Sequence, residues 1–268
     1  MATRLVVIGG GKMGEALVSG LLAAGWAEPG EVVVVEASPA RREELAAVVA
    51  RHRGLVVSEA AVPGDGALLA VKPGDAEAVC RDLAAMRYPR LLSIAAGVTL
   101  ASLERWVGAE GGTAVVRAMP NTPALVGAGA AAIAGGSGAT DDDLEWAEGI
   151  LAAVGTVVRV NEAQLDAVTG LSGSGPAYVY LVAEALIDAG VLVGLPRTVA
   201  RALVTQTLLG AAMLLDQTGE TPEALRAAVT SPGGTTAAGL RALEAGGVRA
   251  TVLDAVVAAT ERAAQLGA

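Results

Sequence analysis

A chain of 268 residues that is 53% hydrophobic and 18% charged holds enough apolar material for one large or two medium cores, and lies far from the composition of disordered chains. Its formal net charge of −9 argues against nucleic acid or an anionic membrane as partner, because both select basic surfaces, and favours a small-molecule ligand. The single cysteine, Cys80, excludes an intrachain disulfide framework and a thiolate metal site, and the single histidine, His52, stands in the charged stretch Ala50-Arg51-His52-Arg53 and reads as solvated; no metal is expected.

From the N-terminus, Arg4–Ile8 is a short apolar run ended by glycines and followed by a helical pattern over Lys12–Ala24, which is strand, tight turn and helix. Interruption by glycine and Lys12 comes too soon for the apolar region of a signal peptide. Glu31–Glu36 is β-branched without alternation, as in a strand covered on both faces, and Ser38-Pro39 then offers an N-cap and a first-turn proline. Further strands are predicted at Leu55–Val57, Ala67–Val71, Leu91–Ala95 and Ala114–Ala118, separated by helical segments such as Asp75–Met86 and Leu100–Val107. Ala130–Ala134 and Thr156–Val160 flank a helix begun by Thr140-Asp141-Asp142-Asp143, where the acids meet the positive end of the helix dipole. The rhythm predicts an α/β domain over 1–161, built on a doubly wound, mostly parallel sheet.

Beyond Glu162 the patterns are helical only: Pro176–Val193, Arg197–Gln217, Pro222–Thr230, Thr235–Ala245 and Val248–Leu266, so 162–268 is expected to be an all-helical domain. Several of these helices are apolar on more than one face, Leu203–Leu215 among them, and a helical layer of roughly 100 residues cannot bury two faces alone. A second copy of the chain is the expected cover. The most apolar stretch, Tyr178–Leu195, holds Glu184 and Asp188 at helical spacing, which is costly in a bilayer and ordinary in a packed helix, so no membrane span is read.

Gly9-Gly10-Gly11-Lys12-Met13-Gly14 fits G-x-G-x-x-G directly after a strand and at a helix start, the context in which the pattern binds a dinucleotide pyrophosphate. Gly9 permits the turn, Gly11 lets the phosphates approach, and Gly14 allows helix and strand to pack closely. Glu36, 22 residues after Gly14, suits the adenosine ribose of NAD and repels a 2′-phosphate; Ser38, Arg41 and Arg42 nearby would instead suit NADP, so NADH or NADPH is the expected cofactor, with NADH favoured. Val71-Lys72-Pro73 and Ala95-Ala96-Gly97-Val98 close strands at the edge where ligands sit in such sheets, though a plain strand stop with a solvated lysine explains the first equally well. Met119-Pro120-Asn121-Thr122-Pro123 is a polar loop stiffened by two prolines. In the helical part, Leu171–Ala177 and Thr230–Thr236 each put Ser, Gly and Pro before a helix start. The second, with Ser231, Gly233, Gly234, Thr235 and Thr236, reads either as ordinary capping or as a cradle for a small carboxylate.

The segment Thr230–Glu244, TSPGGTTAAGLRALE, resembles the signature of pyrroline-5-carboxylate reductases, and the likeness extends in order through IGGGKMGEAL, AVKPGD, SIAAGVTL, RAMPNTPALVGAG, DAVTGLSGSGPAYVYL and GLPR. It spans nearly the whole chain and is far more specific than the glycine motif. The resemblance implies a Rossmann domain followed by an all-helical dimerisation domain, assembled as a homodimer or ring of dimers, and the cytoplasmic reduction of 1-pyrroline-5-carboxylate to L-proline, the last step of proline biosynthesis. It implies cofactor contacts at Gly9 through Gly14, Ser38, Val71, Lys72, Ala96, Gly97, Asn121 and Glu162, and substrate contacts at Gly234, Thr235 and Thr236. Two departures stand out: many members have a small neutral residue at Glu36, and some have Asn at Ala228.

The missing histidine base fits this chemistry, because a cyclic imine takes up a proton readily near neutrality and its iminium is already a hydride acceptor. Thr236 is expected near the ring nitrogen, with the Gly234-Thr235 backbone on the carboxylate. A β-hydroxyacid dehydrogenase would normally present a lysine in its helical domain, and here that domain has none. A non-catalytic dinucleotide sensor is the alternative from another class.

Overall fold

Leu5–Ile8 forms strand β1, and all four of its residues are buried because helices cover both faces. The structure, a computed structural model, describes residues 2–52, 54–108 and 112–267. After β1 come α1 (Lys12–Ala23), β2 (Val32–Val35), α2 (Pro39–Arg51), β3 (Val56–Ser58), β4 (Ala67–Leu69), α3 (Ala76–Ala84), β5 (Arg90–Ser93), α4 (Leu100–Val107), β6 (Ala114–Met119), β7 (Gly129–Gly135), α5 (Asp141–Ala152) and β8 (Gly155–Arg159). The strands form one sheet in the order β3-β2-β1-β4-β5-β6-β7-β8, parallel throughout except where β6 meets β7. Side-chain alternation sorts the core by parity: Leu5 and Val7 pack with Leu17 and Leu21 of α1 and Ile150 of α5, while Val6 and Ile8 pack with Cys80 of α3 and Leu103 of α4.

The chain winds from β1 outward to β3, then crosses back to place β4 on the other side of β1. That reversal opens a crevice at the carboxyl ends of β1 and β4, the place where open α/β sheets take ligands.

After β8 the chain is helical: α6 (Leu165–Val168), α7 (Gly175–Leu192), α8 (Arg197–Thr218), α9 (Pro222–Ala228), α10 (Thr235–Ala245) and α11 (Val248–Gly267). The Ser, Gly and Pro of Leu171–Ala177 stand at the start of α7, as expected, and ahead of it helical turns run from Glu162 with a wide π-turn over Thr169–Gly173. The hydroxyls of Thr169 and Ser172 donate to the carbonyls of Leu165 and Val168 four residues back, which keeps the chain helical through the glycines.

Two compact units result, Met1–Ser174 with Val257–Ala268, and Gly175–Val256, so the division falls later than residue 161 and the last stretch returns to the sheet unit. Residues 162–174 stay with the sheet because Leu165 is fully buried in its core and the Ser172 carbonyl accepts from Asn121. In the other unit α7 and α8 meet at Gly190, where a Cβ would lie 2.9 Å from that of Ala200. The remaining faces are bare: Leu181, Leu192, Leu203, Leu214 and Leu253 are all exposed. The stretch Glu162–Leu192 and α8 are long and apolar enough to cross a membrane by length and composition.

Candidate active site

The glycine loop adopts the geometry its pattern requires. Gly9 has φ +105°, and a Cβ there would lie 2.6 Å from the Ala70 carbonyl oxygen. A Cβ on Gly14 would lie 2.2 Å from the Gly9 carbonyl oxygen, so only glycine lets α1 sit this close to the strand end. Gly11 is different, because a Cβ there would meet nothing within 4 Å. It is the N-cap of α1 and offers no side-chain cap, and the first intrahelical bond is from the Glu15 N–H to the Gly11 carbonyl. The N–H groups of the first turn carry no intrahelical bond, and at Gly11 the positive end of the helix meets open space, the cradle a pyrophosphate needs. Lys12 is exposed and Met13 is half-buried against the core.

At the end of β2 the Glu36 carboxylate turns back toward the loop, accepting the Gly10 N–H at 3.0 Å and the Ser38 N–H at 2.8 Å. The Ser38 hydroxyl caps α2 by accepting from the Arg41 N–H. Arg41 and Arg42 are engaged within the protein: Arg41 donates to the Gly10 carbonyl, Glu15 and Glu44, and Arg42 donates to the carbonyls of Glu36 and Ala37.

Across the crevice, Val71 is half-buried, Lys72 is exposed, and Pro73 opens a short 3-10 turn. Beyond β5, Ala96 is exposed and Gly97 has φ +74°, with the last turn of α11 so close that a Cβ on Gly97 would lie 3.3 Å from the Leu266 carbonyl oxygen. Asn121 is 9% exposed and both ends of its amide are used: Nδ2 donates to the Ser172 carbonyl at 3.0 Å and Oδ1 accepts the Ala130 N–H at 2.8 Å. It thus ties the end of β6 to the start of β7 and to the π-turn. Glu162 Oε1 accepts the Leu100 N–H at 2.6 Å, at the start of α4, and pairs with Arg117 at 3.0 Å. Arg117 is buried in β6, and sequence reasoning missed it; the signal was there, a lone cation inside the apolar run AVVRAM.

The residues singled out for the substrate lie in the other unit, at the start of α10. Gly234 is its N-cap and supplies no side chain, and the first intrahelical bond is from Ala238 N–H to the Gly234 carbonyl. The N–H groups of Thr235, Thr236 and Ala237 are left pointing out of the helix start, behind a turn in which Gly233 has φ +71° and the Gly234 N–H donates to the Ser231 carbonyl. Thr235 is exposed and Thr236 half-buried.

Residues 162–266 match the family model for pyrroline-5-carboxylate reductase dimerisation, and residues 4–97 match that for coenzyme F420-dependent NADP oxidoreductases. A pyrroline-5-carboxylate reductase of Synechocystis sp. is 46% identical over 100% of this chain and 99% of its own length. The chain belongs to the pyrroline-5-carboxylate reductase family. A solved structure of the family from Coxiella burnetii superimposes with a TM-score of 0.92 at 36% identity, covering 100% of both chains. Another, from Plasmodium falciparum with NADP bound, gives 0.81 at 31% identity over 99% of this chain and 98% of that one. The dimerisation match begins at Glu162, the residue at which the helical pattern takes over in the sequence.

Proposed function

We propose that this chain reduces 1-pyrroline-5-carboxylate to L-proline with NADH or NADPH, the last step of proline biosynthesis. Family membership over the full length supports the reaction. The observation that supports the site is the bare N-terminus of α10, whose three outward N–H groups suit a carboxylate. In this reading the Gly234-Thr235 backbone, through the outward Thr235 N–H, and the turn from Ser231 to Gly233 hold the substrate carboxylate, and the Thr236 hydroxyl donates to the ring nitrogen.

The glycine loop fits the cofactor, since open space at Gly11 meets an uncapped helix start. Gly9 through Gly14 would hold the pyrophosphate, Glu36 and Ser38 the adenosine ribose side, and Val71, Lys72, Pro73, Ala96 and Gly97 the rest of the dinucleotide. When bound, the cofactor supplies the hydride that C5 of the ring receives. Asn121 and Glu162 serve this site by fixing the strand ends around it, through their bonds to backbone groups and Arg117.

No strong acid is required. The ring nitrogen is basic enough to arrive protonated near neutrality, so the chain's task is to orient C5 and the nitrogen, and such positioning is worth roughly 7–11 kcal/mol in the best intramolecular cases. We further propose a soluble, cytoplasmic homo-oligomer with neither a nucleic-acid nor a membrane partner, in which the bare faces of α7 and α8 are covered by a second copy. The match to a dimerisation family over 162–266 supports that cover. The deciding experiment is oxidation of NADH by the purified chain with pyrroline-5-carboxylate. Substrate-dependent turnover yielding proline is expected; cofactor binding without turnover would leave a dinucleotide sensor instead.

A further inference from the structure

Around the end of β2 the carboxylates of Glu15 and Glu44 pair with the Arg41 guanidinium and that of Glu59 with Arg42, while the Glu36 carboxylate accepts from the backbone N–H groups of Gly10 and Ser38. Arg41 is one of three residues, with Ser38 and Arg42, whose position in the sequence suits a 2′-phosphate, yet each of its three nitrogens donates within the protein: Nε to the Gly10 carbonyl at 2.7 Å, one terminal nitrogen to Glu44 at 2.7 Å, and the other to Glu15 at 2.6 Å. The Glu44 side chain is exposed, whereas the Glu15 and Arg41 side chains are 25% and 17% exposed, so water screens the Glu15 pair less. Bonds to Glu44 and Glu15 hold the Arg41 guanidinium above its ordinary pKa, and the charge stays in place at every working pH.

We infer that Glu15 is a positioning residue for cofactor choice: it binds Arg41 to the glycine loop and cancels its charge, so that a 2′-phosphate meets surplus negative charge where an arginine would otherwise receive it. A dianion brought to this cluster adds like charge to it. The inference rests on the reading that the glycine loop and the end of β2 take the adenosine side of the cofactor.

The test is cofactor kinetics on the full-length protein with pyrroline-5-carboxylate as substrate. Glu15→Gln is expected to raise the ratio of kcat/KM for NADPH over NADH about tenfold, the scale of one pKa-sized change in charge interaction, and to do so through the KM of NADPH. Glu15→Asp, which keeps the charge, should keep the wild-type ratio, and adding Arg41→Ala to Glu15→Gln should remove the gain. An unchanged ratio in Glu15→Gln, or a gain that survives loss of Arg41, overturns the inference. Should the variants fail to fold, the wild type decides it. Against NADH, 5′-AMP should inhibit more strongly than adenosine 2′,5′-bisphosphate, and the reverse order overturns the inference. Glu36→Ser separates the two levels: if it shifts the ratio while Glu15→Gln does not, only the role of Glu15 falls; if it alters neither cofactor's KM, the adenosine site itself is misplaced and the inference falls with it.

Discussion

Thr236 is the second residue of α10, half-buried, with its N–H group unbonded and its hydroxyl beside the helix start. A threonine is far too weak an acid to protonate an imine by driving force, so its contribution is that of one hydrogen bond that tightens in the transition state. Thr236→Ala should lower kcat/KM by roughly 10- to 1000-fold with little change in NADH affinity, and the loss should be milder at lower pH, where more substrate arrives as iminium. Steady-state kinetics across pH check this; wild-type activity in the variant would remove Thr236 from the reaction. Gly14 makes a sharper demand. A Cβ 2.2 Å from the Gly9 carbonyl oxygen forces backbone to move, so Gly14→Ala should weaken NADH binding by about tenfold or more while stability falls by about 1–3 kcal/mol. Calorimetry of NADH binding beside thermal denaturation measures both, and a variant with unchanged affinity would show that the loop tolerates the shift. The turn at Gly9 and the close packing at Gly14 were legible because each follows from a local backbone rule. The engagement of Arg41 with Glu15 was not, since it joins residues 26 apart that only the fold brings together.

Among the elements, α5 shows how a short sequence signal acquires a second duty. Thr140 and Asp143 form a reciprocal capping box, and Asp143 also bonds Arg90 of β5 at 2.7 Å. Burial alone would raise the Asp143 pKa, but the N–H and hydroxyl of Thr140 and the Arg90 guanidinium outweigh it and hold the carboxyl below the usual range. A depressed folded-state pKa stabilises the protein above the ordinary carboxylate value, and that contribution disappears as pH falls through the depressed one. Asp143→Asn should therefore cost about 1–3 kcal/mol near pH 7, and the gap to wild type should start to narrow below about pH 4 and close as pH falls through the depressed value. Denaturant titrations at the two pH values test it; a gap that persists in acid would assign the loss to packing. Strand positions were legible from short apolar runs, and α4 runs over Leu100–Val107 as the periodicity predicts. The π-turn at Thr169–Gly173 was not, because Ser and Gly ordinarily punctuate loops, and here hydroxyl bonds to preceding carbonyls keep them helical.

For the whole molecule, the two-part plan follows from where strand patterns stop, but the compact units divide later because residues 162–174 are anchored to the sheet by Leu165 and by the Asn121–Ser172 bond. The bare leucines of α7 and α8 predict that the chain is a dimer or larger at micromolar concentration, with stability that rises with protein concentration. Light scattering and thermal melts at several concentrations check this, and a stable, active monomer would contradict it. A different consequence follows from how rare lysine is. The chain has only two, Lys12 and Lys72, against 17 arginines, and both are exposed at the carboxyl edge of the sheet, one opening α1 and the other following β4. Any reagent that attacks side-chain amines is thereby steered to the two sides of one crevice. Acylating dyes and amine-coupled biosensor chips should inactivate the protein early, and excess NADH should protect it. Retained activity after both lysines are modified would show that neither contacts the cofactor. For tethering this enzyme with its crevice open, the chemistry of choice is an engineered surface cysteine, since the natural Cys80 is buried and its thiol pKa is pushed up to about 11.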